Sequence, residues 1–361
     1  MKKLCALLMA LCLLLTLTAC GGNPPADDTA PTTTTTTGQP DVPADPPAPV
    51  IAPTFGAMPK KSQDMAQVYY LSDSVALFAF IASGLDAAAY ELVCYDLAAD
   101  TLLGEVNLGA GVLEVFPLDA TSFAVADVMN KTYTVYDTTC AVQSAVTLTF
   151  DSPIGSVAHN GNYLLLTDLF TGYFHLYDLT RQTTVPVEQT VQALTYACVG
   201  TYGEGFLLHS YDAGLVAVAL DGSTRALVAA PESIHAVGAT YTGGVIGDYA
   251  VFRSLSGGTS WLAPTRGDSE TFLEMEGDCL LSISYGQQST AYYYDLSTRA
   301  VAEYDLGGTA VHASLRGTTA VVAVQTADGQ PLTFVYVDFA DLSTVDMGAV
   351  DAATSWDIVF E

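Results

Sequence analysis

FHLYDLTRQTTVPV, Phe174 to Val187, echoes a string that stands 41 residues earlier as TVYDTTCAVQSAVTL (Thr134–Leu148). Another 41 residues back it stands as LVCYDLAADTLLGEVNL (Leu92–Leu108). Tyr95, Tyr136 and Tyr177 hold the same place in the three strings. Working outward, related units begin at Ser72 (SDSVALFAFIASG), Ala120 (ATSFAVADV), Asn160 (NGNYLLLTDLFTGY), Gly203 (GEGFLLHSYDAGL), Gly247 (GDYAVFRSLSGG), Gly277 (GDCLLSISYGQQ) and Gly317 (GTTAVVAVQTADG). Each has a small or polar turn, a short apolar run, a second polar turn and an alternating run that ends in aspartate or a substitute. These are strand lengths, rich in Val, Leu, Tyr and Phe and bounded by turn formers. No segment keeps a 3.6-residue apolar period over a dozen residues, so helices are not expected.

Four short strands per unit at a period near 41 read as the blades of a β-propeller. One such sheet cannot bury both faces, whereas seven arranged radially bury each face against a neighbour. The expectation is an all-β chain of seven four-stranded blades. In it, YDL ends a third strand and its aspartate opens the turn into the outermost strand, where Asp side chains bond nearby backbone. The tyrosines then pack between blades. The corresponding turn positions are Asp96, Asp137, Asp178, Asp221, Pro264, Asp295 and Asp338. The fifth has lost its aspartate and the sixth unit is short. Either the fifth blade lacks its outer strand or the sixth lacks its inner one. SWDIVF (Ser355–Phe360) is a spare strand, expected to help close the ring against the first blade.

The N-terminus carries Lys2 and Lys3, then an apolar run from Leu4 to Leu15. That run is too short for a membrane span of about 20 residues and reads as a secretory signal. LTAC, Leu17 to Cys20, resembles the lipobox of bacterial lipoproteins. The resemblance implies diacylglyceryl transfer to the Cys20 sulfur, cleavage before it, and an extracytoplasmic protein anchored by lipid to the bacterial cell membrane. From Gly22 to Pro53 lie nine of the chain's 16 prolines and the threonine run Thr32–Thr37. This composition favours extended, unpacked chain. The expected organisation is a signal peptide over 1–19, a lipidated cysteine and disordered linker over 20–57, and the propeller over 58–361.

Lys and Arg number 11 against 39 Asp and Glu, a formal net charge of −28. A chain so short of cations is a poor nucleic-acid binder and a poor ligand for anionic head groups. Beyond the leader and Cys20, four cysteines remain: Cys94, Cys140, Cys198 and Cys279. They form no CxxC, so zinc and thioredoxin chemistry are not indicated. Two disulfides and four buried thiols both stay open.

The YDL…T rhythm resembles the loose superfamily of extracytoplasmic bacterial propellers with YVTN-like, TolB-like and WD-repeat-like blades, over residues from about 60 to 361. That resemblance implies a fold and not an activity. SLSGGTSW (Ser254–Trp261) matches the Asp-box frame of sialidase-type propellers at Ser254, Gly258 and Trp261, but has Ser256 at the aspartate position. There is no GxSxG elbow, EF-hand loop or phosphate-cradling glycine loop. His175 and His209 fall on a third and a second strand, and His159, His235 and His312, near inner strands, fall out of register when aligned on the turn glycines. No catalytic residue, metal ligand or cofactor is therefore assigned. The hairpins read as joining second to third strands present Tyr173, Tyr211, Trp261 and Tyr285, aromatics able to anchor a protein or stack on a sugar. The expected function is a non-catalytic module that binds a protein, a glycan or another ligand through one face of the disc. The alternative is an enzyme acting on glycans, hydrolase or lyase, with channel acids as acid and base.

Overall fold

A computed structural model describes residues 52–60, 65–82, 88–210, 212–230, 232–267, 269–285, 288–326 and 330–351. Cys20 and its leader, the linker up to residue 51, Tyr211, and Ser355–Phe360 lie outside the described residues.

The chain forms seven antiparallel sheets in sequence order. Blade 1 holds β1 (Met65–Tyr70), β2 (Val75–Ala82), β3 (Ala88–Asp96) and β4 (Thr101–Gly111). Blade 2 holds β5 (Leu113–Asp119), β6 (Ser122–Asp127), β7 (Thr132–Asp137) and β8 (Val142–Thr147). Blade 3 holds β9 (Ile154–Asn160), β10 (Tyr163–Asp168), β11 (Phe174–Asp178) and β12 (Thr183–Pro186). Blade 4 holds β13 (Ala197–Tyr202), β14 (Gly205–Ser210), β15 (Gly214–Val218) and β16 (Thr224–Val228). Blade 5 holds β17 (Ser233–Val237), β18 (Tyr241–Ile246), β19 (Tyr249–Ser254) and β20 (Trp261–Pro264). Blade 6 holds β21 (Glu270–Glu276), β22 (Cys279–Ser284), β23 (Thr290–Asp295) and β24 (Ala300–Asp305). Blade 7 holds β25 (Thr309–Arg316), β26 (Thr319–Gln325) and β27 (Thr333–Asp338). Among the described residues the only helix is a single 3-10 turn, Phe339–Asp341, and no helix is long and apolar enough to cross a membrane.

The predicted repeat logic holds in its local chemistry. Asp137 Oδ1 accepts from the amides of Thr139 and Ala141, Asp178 Oδ1 from Thr180 and Arg181, and Asp295 Oδ1 from Ser297 and Thr298. The first hairpins of blades 3, 4, 6 and 7 turn through Gly161, Gly203, Gly277 and Gly317 at φ of 57–59°, where a Cβ is disfavoured. Tyr95, Tyr177 and Tyr294 are fully buried, each against the preceding blade. Seven apolar clusters fill the seven seams between adjacent blades, so the ring is closed.

The fifth and sixth units differ from the expectation. Neither is short of a strand. The inner strands of blades 4, 6 and 7 share a bulge, between Cys198 and Gly200, Phe272 and Glu274, and Ala310 and His312. β17 carries the same bulge between Ile234 and Ala236, which marks it as the inner strand of blade 5. The turn at Gly247 therefore joins second to third strands, and β20 is a fourth strand. The repeat frame slips by one strand there, which is why Pro264 stands where an aspartate was expected.

Among the described residues it is blade 7 that holds three strands. After Asp338 the chain turns back, adding β28 (Thr344–Asp346) outside β24 and β29 (Val350–Asp351) outside β20. The seam between blades 7 and 1 is sealed from the other end. Phe55 sits between Phe78 and Tyr95 of blade 1 and Phe334 of blade 7, with ring centroids 6.1, 5.7 and 5.7 Å away. The Asp100 carboxylate secures it, accepting from the Phe55 amide at 2.9 Å, the Tyr95 hydroxyl at 2.8 Å and the Thr54 hydroxyl.

Candidate functional site

Two places collect chemistry: the inner strands around the axis, and one end of the disc. On the inner strands much of the polar chemistry is consumed by backbone. The Val68 amide donates to His312 Nδ1 at 3.2 Å and the Tyr70 amide to Ser314 Oγ at 3.2 Å. One blade earlier, Glu274 Oε2 accepts from the Leu315 amide at 2.6 Å and the Ser314 hydroxyl at 2.8 Å. Side chains of one inner strand thus cap the amides of the next, where no strand among the described residues pairs with them.

Burial sets the ionisation of these groups. The His312 imidazole is held down at about 4, and so is that of His159, which lies against Phe116 and Tyr133. Burial also lowers His235, the bulged residue of β17, and then His209 lowers it further. Glu274 is pushed up to about 7 by burial, opposed by its two hydrogen bonds. Glu114, on β5, is pushed up to about 8 by burial alone. The five histidines are spread over four blades, His159 and His175 both on blade 3, and no group of three His, Cys, Asp or Glu among the described residues is placed to hold a metal ion.

The end of the disc follows from topology. In an antiparallel blade, first-to-second and third-to-fourth connections share one end. Second-to-third connections share the other end with the links between blades. Tyr173 and Tyr285 fall at this second end. Trp261 does not: Leu255–Ser260 joins the third and fourth strands of blade 5, so Trp261 begins β20 at the first end. There it stacks on Tyr241 at 5.3 Å, with the Arg299 guanidinium 4.8 Å from the ring centre. The loop beneath is a compact turn, in which Ser254 Oγ accepts from the Gly258 amide at 2.9 Å. Tyr285 is partly buried against the seam of blades 6 and 7. Tyr173 pairs by a β-bridge with Gln192. The structure does not gather these aromatics into one patch.

The same second end does carry exposed apolar tips, on hairpins of blades 2 and 3 and on the link that follows blade 3. Phe170 is 79% exposed and Leu194 88%, with Leu169 beside them and Met129 on the equivalent hairpin of blade 2. These tips are held rigidly. Asp168 Oδ1 accepts from the Phe170 amide at 2.8 Å and the Thr171 amide at 3.1 Å. The Ala193 amide reaches the Gly172 carbonyl at 2.8 Å and ties the Leu194 loop to the hairpin. On blade 2, Asp127 Oδ1 likewise accepts from Met129 at 3.0 Å and Asn130 at 2.9 Å. Sequence reasoning chose Tyr173 in the same hairpin and passed over Phe170. The available signal was an apolar pair, Leu169-Phe170, directly after an aspartate that ends a strand.

No protein-family model matches the chain, and no curated protein matches it in sequence. Solved structures do resemble it. With a streptogramin B lyase the TM-score is 0.53 at 10% identity, over 78% of this chain and 96% of that one. With virginiamycin B lyase from Staphylococcus aureus it is 0.52 at 11% identity, over 73% and 92%. With an uncharacterized protein from Listeria monocytogenes it is 0.51 at 12% identity, over 80% and 95%. The chain is a seven-bladed β-propeller. At these identities the likeness carries the fold alone.

Proposed function

We propose that this chain is an extracytoplasmic propeller, anchored by lipid on Cys20 to the bacterial cell membrane, that binds a protein partner without catalysis. The partner docks on the end of the disc carrying Phe170, Leu194 and Met129. One observation carries the reading: Phe170 and Leu194 are nearly fully exposed on loops clamped by their own hydrogen bonds. Water solvates such side chains poorly, and a preordered loop loses little freedom when a partner covers it. The net charge of −28 favours a basic partner surface. The decisive test places a photo-crosslinking residue at Phe170 and, as a control, at Val142 on the outer rim of blade 2. A discrete adduct from Phe170 in native membranes, lost on Leu194→Asp, supports the reading. No adduct from Phe170, or equal adducts from both sites, overturns it. Membrane attachment is tested separately, since Cys20→Ala is expected to release the protein into the soluble fraction.

A second reading, an enzyme acting on glycans, draws on Glu114. Its carboxyl is raised to about 8 and has no hydrogen-bond partner among the described residues, as suits a general acid. Glycoside chemistry asks for a second carboxylate roughly 5–10 Å away. Hydrolysis of a glycan panel that is abolished by Glu114→Gln would favour this reading over binding.

A further inference from the structure

We infer that Cys94 and Cys140 are a disulfide-forming pair that staples blade 1 to blade 2 once the chain meets an oxidant. The inference rests on the extracytoplasmic reading only for where that oxidant is found. The two sulfurs face each other across the seam at 4.0 Å, in one apolar cluster with Leu113, Phe123 and Tyr136.

Independent features of the backbone set up this meeting. Cys94 pairs in register with Gly104 on β4. A Cβ at Gly104 would collide with the Thr139 carbonyl, so the missing side chain is the space in which the Thr139–Cys140 turn sits. Asp137 shapes that turn through the Thr139 and Ala141 amides, and the Cys140 amide bonds the Asp137 carbonyl at 2.9 Å. Cys140 itself lies at φ of 60°, a region few residues other than glycine occupy. The other two cysteines are engaged elsewhere. Cys198 Sγ lies 3.6 Å from the Gly200 carbonyl, and Cys279 Sγ accepts from the Tyr293 hydroxyl at 2.8 Å.

The chemistry has a defined order. The contact with Cys94 lowers the Cys140 thiol, whereas the same contact and burial raise Cys94. Cys140 is also flanked by the exposed Thr139 and Ala141. Its thiolate attacks one sulfur of an oxidant disulfide, that of a thiol oxidase or of oxidised glutathione, and one oxidant thiolate leaves. Cys94 then gives up its proton and attacks the Cys140 sulfur, which expels the second oxidant thiol. Two protein thiols are oxidised and one oxidant disulfide is reduced to two thiols. A disulfide needs sulfurs about 2.05 Å apart, so the pair closes by about 2 Å, within the sweep of a χ1 rotation.

The test is peptide mapping of the purified full chain after equilibration with oxidised and reduced glutathione and acid trapping. Lys131 puts the two cysteines in different tryptic peptides. The expected result is one dominant linked pair, Cys94 with Cys140. The unfolding midpoint should rise by roughly 5 °C over the reduced chain, a gain lost in Cys140→Ser. If both thiols instead remain open to alkylation after unfolding, or Cys140 links to Cys198 or Cys279, the inference is overturned. The same mapping on protein isolated from cells separates the two readings. A pair that links in glutathione but is found reduced in cells supports the staple and counts against the extracytoplasmic location.

Discussion

The Arg253 guanidinium grips the Glu232 carboxylate with two bonds, Nε to Oε1 at 2.5 Å and Nη2 to Oε2 at 2.7 Å. Side-chain exposure is 7% for the arginine and 0% for the glutamate. The pair lies over Gly244, where a Cβ would come within 2.6 Å of the Ser233 carbonyl and 2.9 Å of Glu232 Cγ. Removing one partner leaves a buried charge alone. Arg253→Ala is therefore expected to cost about 3–5 kcal/mol in urea denaturation, while the double variant Glu232→Leu/Arg253→Met should recover most of it. Loss of the same size in both variants would refute this account.

Gly244→Ala should be as harmful as breaking the pair, although alanine usually improves a strand. The collision is with backbone, which cannot rotate away. We expect a loss of about 2–4 kcal/mol by thermal unfolding. A neutral or stabilised variant would mean the pair does not depend on that glycine.

Two groups of residues pull the pH dependence in opposite directions. His159 and His312 titrate near 4 when folded and near 6.5 when unfolded. Their contribution is complete above pH 6.5 and is lost as pH falls toward 4. Glu114 titrates near 8 when folded against 4.5. Its contribution is complete below pH 4.5 and is lost as pH rises toward 8. Urea midpoints measured across pH 4–8 should thus flatten on the acid side in His312→Gln, which can still accept from Val68. They should flatten on the neutral side in Glu114→Gln. Unchanged slopes in both would show that neither group titrates as its burial requires.

Phe55 holds the seam of blades 7 and 1 at a φ of 54°. Phe55→Ala loses the ring and keeps the strained backbone. Phe55→Gly loses the ring and relieves the strain, worth about 1–2 kcal/mol. The expected order of stability is Phe, then Gly, then Ala, with Ala lower than wild type by about 2–3 kcal/mol. An alanine variant more stable than the glycine variant would contradict it.

Phe170→Ser and Leu194→Ser should leave folding stability within about 0.5 kcal/mol, because both side chains already face water. A large loss of stability would assign them a packing role instead of a binding one.

Sequence alone determined the blade. Turn aspartates act on amides two to four residues away, and strand propensity and alternation are equally local, so the 41-residue rhythm of Tyr95, Tyr136 and Tyr177 carries them directly. It also carried the burial of those tyrosines, because each stands at the same point of its blade, on the third strand just before the turn aspartate. What the tertiary structure decided lies in contacts between distant residues. β17 is an inner strand because of its bulge and its neighbours in blades 4 and 6, while the local string at Gly247 looks like any first hairpin. His312 serves the Val68 amide 244 residues away, and Cys140 meets Cys94 only because Gly104 leaves room. Phe55 gains its meaning from Phe334, and Phe170 from its exposure at the end of the disc. Each depends on how seven sheets meet around an axis, and no stretch of a single blade encodes that.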